Sequence, residues 1–225
     1  MSPPANVMLK ELLSPNCDPE RRFIASLDHA KVLVDQAKQI GHTVGIVGGV
    51  WDLPHIGHAK YLRLAKEQCD FLIVVVDSDA LVKNRKGPTR PVVPQEERVQ
   101  MVCHLASADI VILRDLEEHL KDKEYLNKFF RPNICILSTG TGDIPPAQRE
   151  VIAQHVGEIK VFPPQAETST SARIRLLAID GATPLAQAVT SLVESKTGQI
   201  AELLSGLPKE IQFLAESHIK KLKEA

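Results

Sequence analysis

The sequence predicts an α/β fold: a Rossmann-like, doubly wound parallel sheet with a C-terminal helical appendage. Three observations carry this expectation. Across residues 28–181, short apolar or β-prone runs alternate with helix-periodic stretches over short links, the order from which parallel sheets with helices on both faces are built. Phe71 to Val76 is an unbroken apolar run, as expected of a strand covered on both sides. After Gly181 the alternation stops, and residues 182–225 hold helical stretches alone.

Taken in order, residues 1–27 carry Pro3, Pro4, Pro15 and Pro19 with little periodicity and are expected to form an irregular arm. A helix follows, with Leu27, Ala30, Val34 and Ala37 near one face and Gly41 placed to end it. Thr43 to Val47 is a strand stopped by Gly48-Gly49, and His58 to Gln68 reads as a helix. Phe71 to Val76 is the second strand. Pro94 to Ala108 is a helix with Val99, Val102, Cys103 and Ala106 at i, i+3, i+4 and i+7. Ile110–Leu113, Ile134–Leu137 and Ile159–Phe162 are strands; Leu116–Phe130, Ala147–Val156 and Arg173–Ile179 are helices. Pro184–Val193 and Pro208–Leu222 make a helical tail. Open sheets of this kind bind ligands at the carboxyl ends of their strands, so chemistry is expected after Val47, Val76, Leu137 and Phe162.

Bulk composition narrows the classes. The chain of 225 residues is 44% hydrophobic and 24% charged, with net charge −1. It lacks the basic surplus expected of a general nucleic-acid binder. No apolar run approaches the length of a membrane span, and Met1 to Leu13 has no signal-peptide-like apolar core. Cys17, Cys69, Cys103 and Cys135 form no C-x-x-C pair. They read as free thiols, which fits a cytoplasmic location.

The informative segment runs from Gly48 to His58, reading G-G-V-W-D-L-P-H-I-G-H, between the first strand and the helix it opens. Glycines let the backbone approach a ligand. A helix N-terminus offers unpaired N–H groups and a positive dipole. His55 and His58 can both point into one small volume and donate to phosphate oxygens as charge moves. Structural or solvated histidines, or part of a metal site, are the alternative readings; beyond Asp52, no Cys or carboxylate pattern nearby completes a metal site. In the segment after the second strand, Lys83, Arg85, Lys86 and Arg90 form either a solvated basic loop or a phosphate contact. Arg98 follows Glu96-Glu97, which offer it a surface ion pair.

The H-I-G-H segment resembles the H-x-G-H signature of the cytidylyltransferase-like nucleotidyltransferases. The similarity continues through Val74 to Ala80, Lys83, Lys86-Gly87, Arg90-Pro91-Val92 and Glu97-Arg98. It looks most like the adenylyltransferases acting on heptose 1-phosphate, and somewhat less like the glycerol-3-phosphate and phosphoethanolamine cytidylyltransferases. The resemblance covers residues 28–180. It implies transfer of a nucleotidyl group from ATP or CTP to a small phosphorylated acceptor such as a sugar phosphate, with release of pyrophosphate. A non-catalytic nucleotide-binding module is the other class.

The resemblance gives His55, His58 and Lys86 the catalytic roles. It gives nucleotide contacts to Gly48, Gly49, Val50, Trp51, Asp52, His58, Lys83, Arg98, Gly140, Asp143, Thr170, Ser171 and Arg173. Thr168 to Arg175 resembles the family's second signature, roughly S-S-T-x-I-R, with Ala172 replacing a hydroxyl residue. Val50 stands where many relatives carry Thr, Ser or Cys, and Trp51 where Phe is usual. Mg2+ is expected to arrive with the triphosphate and no metal to be held by the protein alone. A homodimer is expected by resemblance only.

Overall fold

In the computed structural model, residues 5–14, 16–139 and 145–166 are described, together with positions 172, 174, 187–196, 198–199, 202–203, 205–206, 209 and 211. The chain divides into two compact units, Met1–Thr170 and Ser171–Ala225. In the second unit, residues 187–196 are helical.

The first unit is built on five strands: β1 (Val44–Gly49), β2 (Phe71–Asp77), β3 (Ile110–Arg114), β4 (Ile134–Ser138) and β5 (Glu158–Phe162). All pairings are parallel and the order is β3-β2-β1-β4-β5. β2 is buried at every position, as its unbroken apolar run predicts. Helices α1 (Ala5–Leu12), α2 (Leu27–Gln39), α3 (Ile56–Lys66), α4 (Asp79–Lys86), α5 (Gln95–Cys103), α6 (Leu116–Lys121), α7 (Tyr125–Phe130) and α8 (Pro146–Ala153) complete it.

Alternate residues of the strands face opposite cores, the geometry expected of a pleated strand. Ile46, Ile73, Val75, Ile110, Ile112 and Cys135 meet α1, α2, α7 and α8 through Leu9, Leu12, Leu33, Val34, Phe130 and Ile152. Val47, Leu72, Val74, Val76, Val111 and Ile136 meet α3 and α5 through Leu62, Ala65, Val99 and Val102. The sheet is therefore doubly wound, as expected. Strand order reverses at β1, so the crevice lies at the carboxyl ends of β1 and β4.

Three local expectations change. The arm expected to be irregular contains α1, whose Leu9 and Leu12 are buried against α2; a two-turn helix shows too few repeats for its period to be read. A 3-10 turn, Pro19–Arg22, follows, and then Phe23 bridges Val111 while the Ile24 amide donates to the Val111 carbonyl at 2.9 Å. The arm thus runs along the outer edge of β3, a position where an unpaired edge strand would otherwise stand open. Residues 116–130 form two short helices rather than one. Asp122, at φ −151°, leaves the helix, and its carboxylate accepts from the Glu124 amide at 3.0 Å, a turn that competes with helix. Lys83, Arg85 and Lys86, expected in a loop, lie in the last turn of α4. The Ser78 hydroxyl caps that helix by accepting from the Leu81 amide, and Gly87 ends it at φ 92°.

Candidate active site

β1 ends on Gly48-Gly49 at the reversal in strand order. The turn that follows is held from below. Trp51 adopts φ 57° and Leu53 φ 45°, left-handed values that non-glycine residues rarely take. Burial of the indole holds the first of them: Trp51 is 4% exposed, and its Nε1 donates to the Val75 carbonyl at 2.9 Å. A β-carbon on Gly49 would stand 3.0 Å from that ring, so the buried indole would have to shift to admit one. The indole stacks on Tyr61 at 6.3 Å and meets the edge of His58 at 5.6 Å. Tyr61 in turn donates to the Ile136 carbonyl of β4 at 3.3 Å.

His55 is the N-cap of α3. Its Nδ1 accepts from the Gly57 amide at 3.1 Å, and the His58 Nδ1 accepts from the His55 amide at 3.2 Å. The two rings lie 4.1 Å apart, centre to centre, and both are half-buried. An Nδ1 that accepts carries no proton, so each neutral ring must hold its proton on Nε2. The backbone thereby sets both tautomers and makes two Nε2–H donors side by side at a helix start. Gly57 is buried beneath them. A β-carbon there would lie 2.8 Å from the His55 Cε1, 2.9 Å from its Nδ1 and 2.8 Å from the Ala166 Cβ. We expect Gly57→Ala to displace the His55 ring and break its cap. The cost is about 1 kcal/mol, or a melting temperature lower by roughly 2–4 °C. The imidazole nitrogen resonances of His55 report the displacement; an unchanged Nδ1 signal would contradict it.

Two buried ions tie this turn to the segment between α4 and α5. The Asp52 carboxylate, its side chain 1% exposed, accepts from Arg90 Nε at 3.0 Å and Nη2 at 2.9 Å, and from the Val92 and Val93 amides, each at 3.0 Å. Arg98 is 0% exposed; it donates to the Val50 carbonyl, to the Val93 carbonyl at 2.9 Å and to Asp79 Oδ1 at 2.7 Å. The side chains of Trp51, Asp52 and Arg98, three of the expected nucleotide contacts, engage partners far along the chain and position the turn.

The clamp brings the end of α4 towards the turn. Partial burial and the nearby Arg90 and Arg85 guanidiniums hold the Lys86 ammonium below the ordinary lysine range, against the opposing pull of Asp77 and Asp52. Lys83 sits one turn earlier on an exposed face. Gly48 is exposed, while Gly49 and Val50 are half-buried, with the Val50 carbonyl engaged by Arg98. Gly140, Asp143, Thr170, Ser171 and Arg173 lie outside the described residues.

Asp77 and Arg114, which close β2 and β3, were not singled out in the sequence. The signal was present: a charged residue directly after an apolar strand stands at the edge where ligands bind.

Comparison with known proteins gives one family. The Cytidylyltransferase-like family model matches residues 46–174, more than half of the chain. Among curated proteins, the bifunctional protein HldE of Caulobacter vibrioides is 38% identical over 119 residues, covering 53% of this chain and 24% of that one. Its counterpart in Granulibacter bethesdensis is 45% identical over 87 residues, covering 39% and 18%. The chain thus spans about a quarter or less of the length of these relatives. A lipopolysaccharide core biosynthesis protein from Thermoplasma volcanium has a crystal structure that matches 57% of this chain and 100% of its own, at 24% identity and a TM-score of 0.45, a likeness too loose to carry an argument. No helix among the described residues is long and apolar enough to cross a membrane.

Proposed function

Because this chain belongs to the cytidylyltransferase-like family, we propose that it transfers a nucleoside monophosphate from ATP or CTP to a small phosphorylated acceptor, such as a sugar phosphate. The observation that carries this reading is the pair of His55 and His58 rings, 4.1 Å apart at the start of α3, each accepting a backbone amide at Nδ1. A phosphate oxygen of the acceptor attacks the α-phosphorus in line. The new P–O bond forms as the bond from the α-phosphorus to the bridging oxygen breaks, and the electron pair leaves with pyrophosphate. Such a reaction needs no protein nucleophile; positioning and charge stabilisation suffice. His55 and His58 donate to the oxygens around the α-phosphorus. Lys86, with Lys83 behind it, neutralises the departing pyrophosphate. Thr170, Ser171 and Arg173 are proposed to hold the β- and γ-phosphates. Among the described residues no group of three or more His, Cys, Asp or Glu side chains could hold a metal ion. Mg2+ is proposed to arrive with the triphosphate, whose charge it would offset.

The test is a matrix of nucleoside triphosphates against phosphorylated acceptors, read by pyrophosphate release. Turnover with a sugar phosphate supports the reading. Turnover only with an alcohol or amine phosphate and CTP makes the chain a cytidylyltransferase of that type. Nucleotide binding without release for any acceptor reduces it to a binding module.

Lys86 gives a pH signature. It must be protonated to meet the leaving group, and its pKa in the free protein is lowered. kcat/KM is therefore expected to fall as pH rises through a value below the ordinary lysine range. The corresponding limb in kcat should lie higher, because bound triphosphate favours the ammonium. Lys86→Arg should move the kcat/KM limb upward; a limb that stays in place would remove Lys86 from this role.

A further inference from the structure

A second cationic centre stands at the carboxyl edge of the sheet, apart from the histidine turn. Asp77 and Arg114 are register partners at the ends of β2 and β3. The Asp77 side chain is 1% exposed; its Oδ1 accepts from Arg114 Nε at 2.7 Å and from Arg114 Nη2, and its Oδ2 accepts from Arg85 Nη1 at 2.9 Å. Two guanidiniums on one carboxylate leave a positive surplus. The Arg114 carbonyl also accepts from the Ser78 amide at 3.0 Å, so the backbone behind the side chain is fixed.

The Arg114 guanidinium extends across β2 to β1. A β-carbon on Gly48 would lie 3.7 Å from its Nη2 and 3.8 Å from its Nη1. Gly48 is exposed, and Arg114 Nη1 has no hydrogen-bond partner among the described residues. A fork of donors is thus held rigidly over the bare end of the central strand. Burial first, and then the Arg114 and Arg85 charges against the opposing pull of Asp77, lower the His119 pKa beside this centre.

Direction decides which phosphate this centre suits. Successive residues of a strand face opposite sides. The side-chain position of Gly49 faces Trp51, which carries the edge of His58; that of Gly48 faces Arg114 on the other side. The two anion centres therefore flank the end of β1. A phosphate held at the histidine turn therefore has the Arg114 centre across the strand end from it, apart from the imidazoles.

Resting on the transferase reading above, we propose that Arg114, oriented by Asp77, receives the phosphate of the acceptor in the hollow over Gly48. A dianionic group of that size matches a guanidinium fork with surplus positive charge.

The probe is inorganic phosphate, titrated by calorimetry into the full chain with and without a non-hydrolysable nucleoside triphosphate; nucleotide affinity is measured separately. Wild type is expected to bind phosphate. Arg114→Gln should weaken that binding tenfold or more and leave nucleotide affinity within twofold. Arg114→Lys, which keeps the charge but loses the fork, should fall between. Gly48→Val is the second variant. A β-carbon there makes only ordinary contacts, so the chain is expected to fold while the larger side chain fills the hollow and abolishes phosphate binding. Phosphate affinity unchanged in both Arg114→Gln and Gly48→Val overturns the proposal, as does an equal loss of nucleotide affinity in Arg114→Gln. Absence of nucleotide binding in wild type, with Arg114-dependent phosphate binding intact, overturns the transferase reading and keeps the anion site.

Discussion

Replacing His58 with Ala is expected to lower turnover by about 10²–10³-fold, the usual consequence of removing one preorganised donor at a developing charge, while nucleotide affinity changes far less. The reasoning starts from the tautomer. His58 Nδ1 accepts from the His55 amide, so the neutral ring carries its proton on Nε2, the donor assigned above to the phosphate. The substitution also removes that cap, at a cost of about 1 kcal/mol. His58→Asn separates the two effects. Its side-chain oxygen can take the place of Nδ1 as acceptor, but it has nothing at the Nε2 position. Asn should therefore restore the melting temperature and leave turnover low. Steady-state kinetics with pyrophosphate detection, beside a nucleotide-binding isotherm, decides the matter. A large affinity loss with unchanged turnover would remove His58 from the transition state.

The largest stability effect is expected at Arg98. Its guanidinium is wholly buried and bonded to two carbonyls and a carboxylate. Removing one partner of such a set leaves the others uncompensated and costs about 3–5 kcal/mol, equivalent to roughly 10 °C or more of melting temperature. Arg98→Ala should show this in thermal denaturation, and Arg98→Lys should recover only part, since an ammonium cannot reproduce the planar fork. The variant should also bind nucleotide more weakly, because Arg98 joins Val50 of the turn to Asp79 at the head of α4. A drop of under 2 °C would reduce the residue to an ordinary surface ion pair.

The strands were legible because their apolar or β-prone runs are short and bounded by turn-forming residues: Gly48-Gly49 after β1, Asp77 at the end of β2, Asp115 after β3, and Pro163-Pro164 after β5. The imidazole pair was legible because spacing along one helix start decides where both rings go. The structural role of Trp51, Asp52 and Arg98 was not legible: beside a phosphate-binding turn a polar or aromatic residue reads as a contact, whereas their side-chain partners, Val75, Arg90 and Val50, lie 24 to 48 residues away. No local pattern reports a pairing at that distance. α4 could have been found: Ser78 and Asp79 at its start, three basic residues in its last turn and Gly87 after it are helix signals. They were outweighed by the density of charge.

The strap formed by residues 5–14 and 16–24 has a practical consequence for anyone shortening this protein. Leu9 and Leu12 cover α2, the Arg22 guanidinium closes the last turn of α5 by donating to the Cys103 and Leu105 carbonyls, and the Ile24 amide occupies an acceptor on β3. A chain begun at Leu27 would keep every chemical group assigned here to catalysis, yet it would bare a greasy helix flank, a frayed helix end and an unguarded strand at once. Such a fragment should precipitate or self-associate long before its chemistry could be assayed.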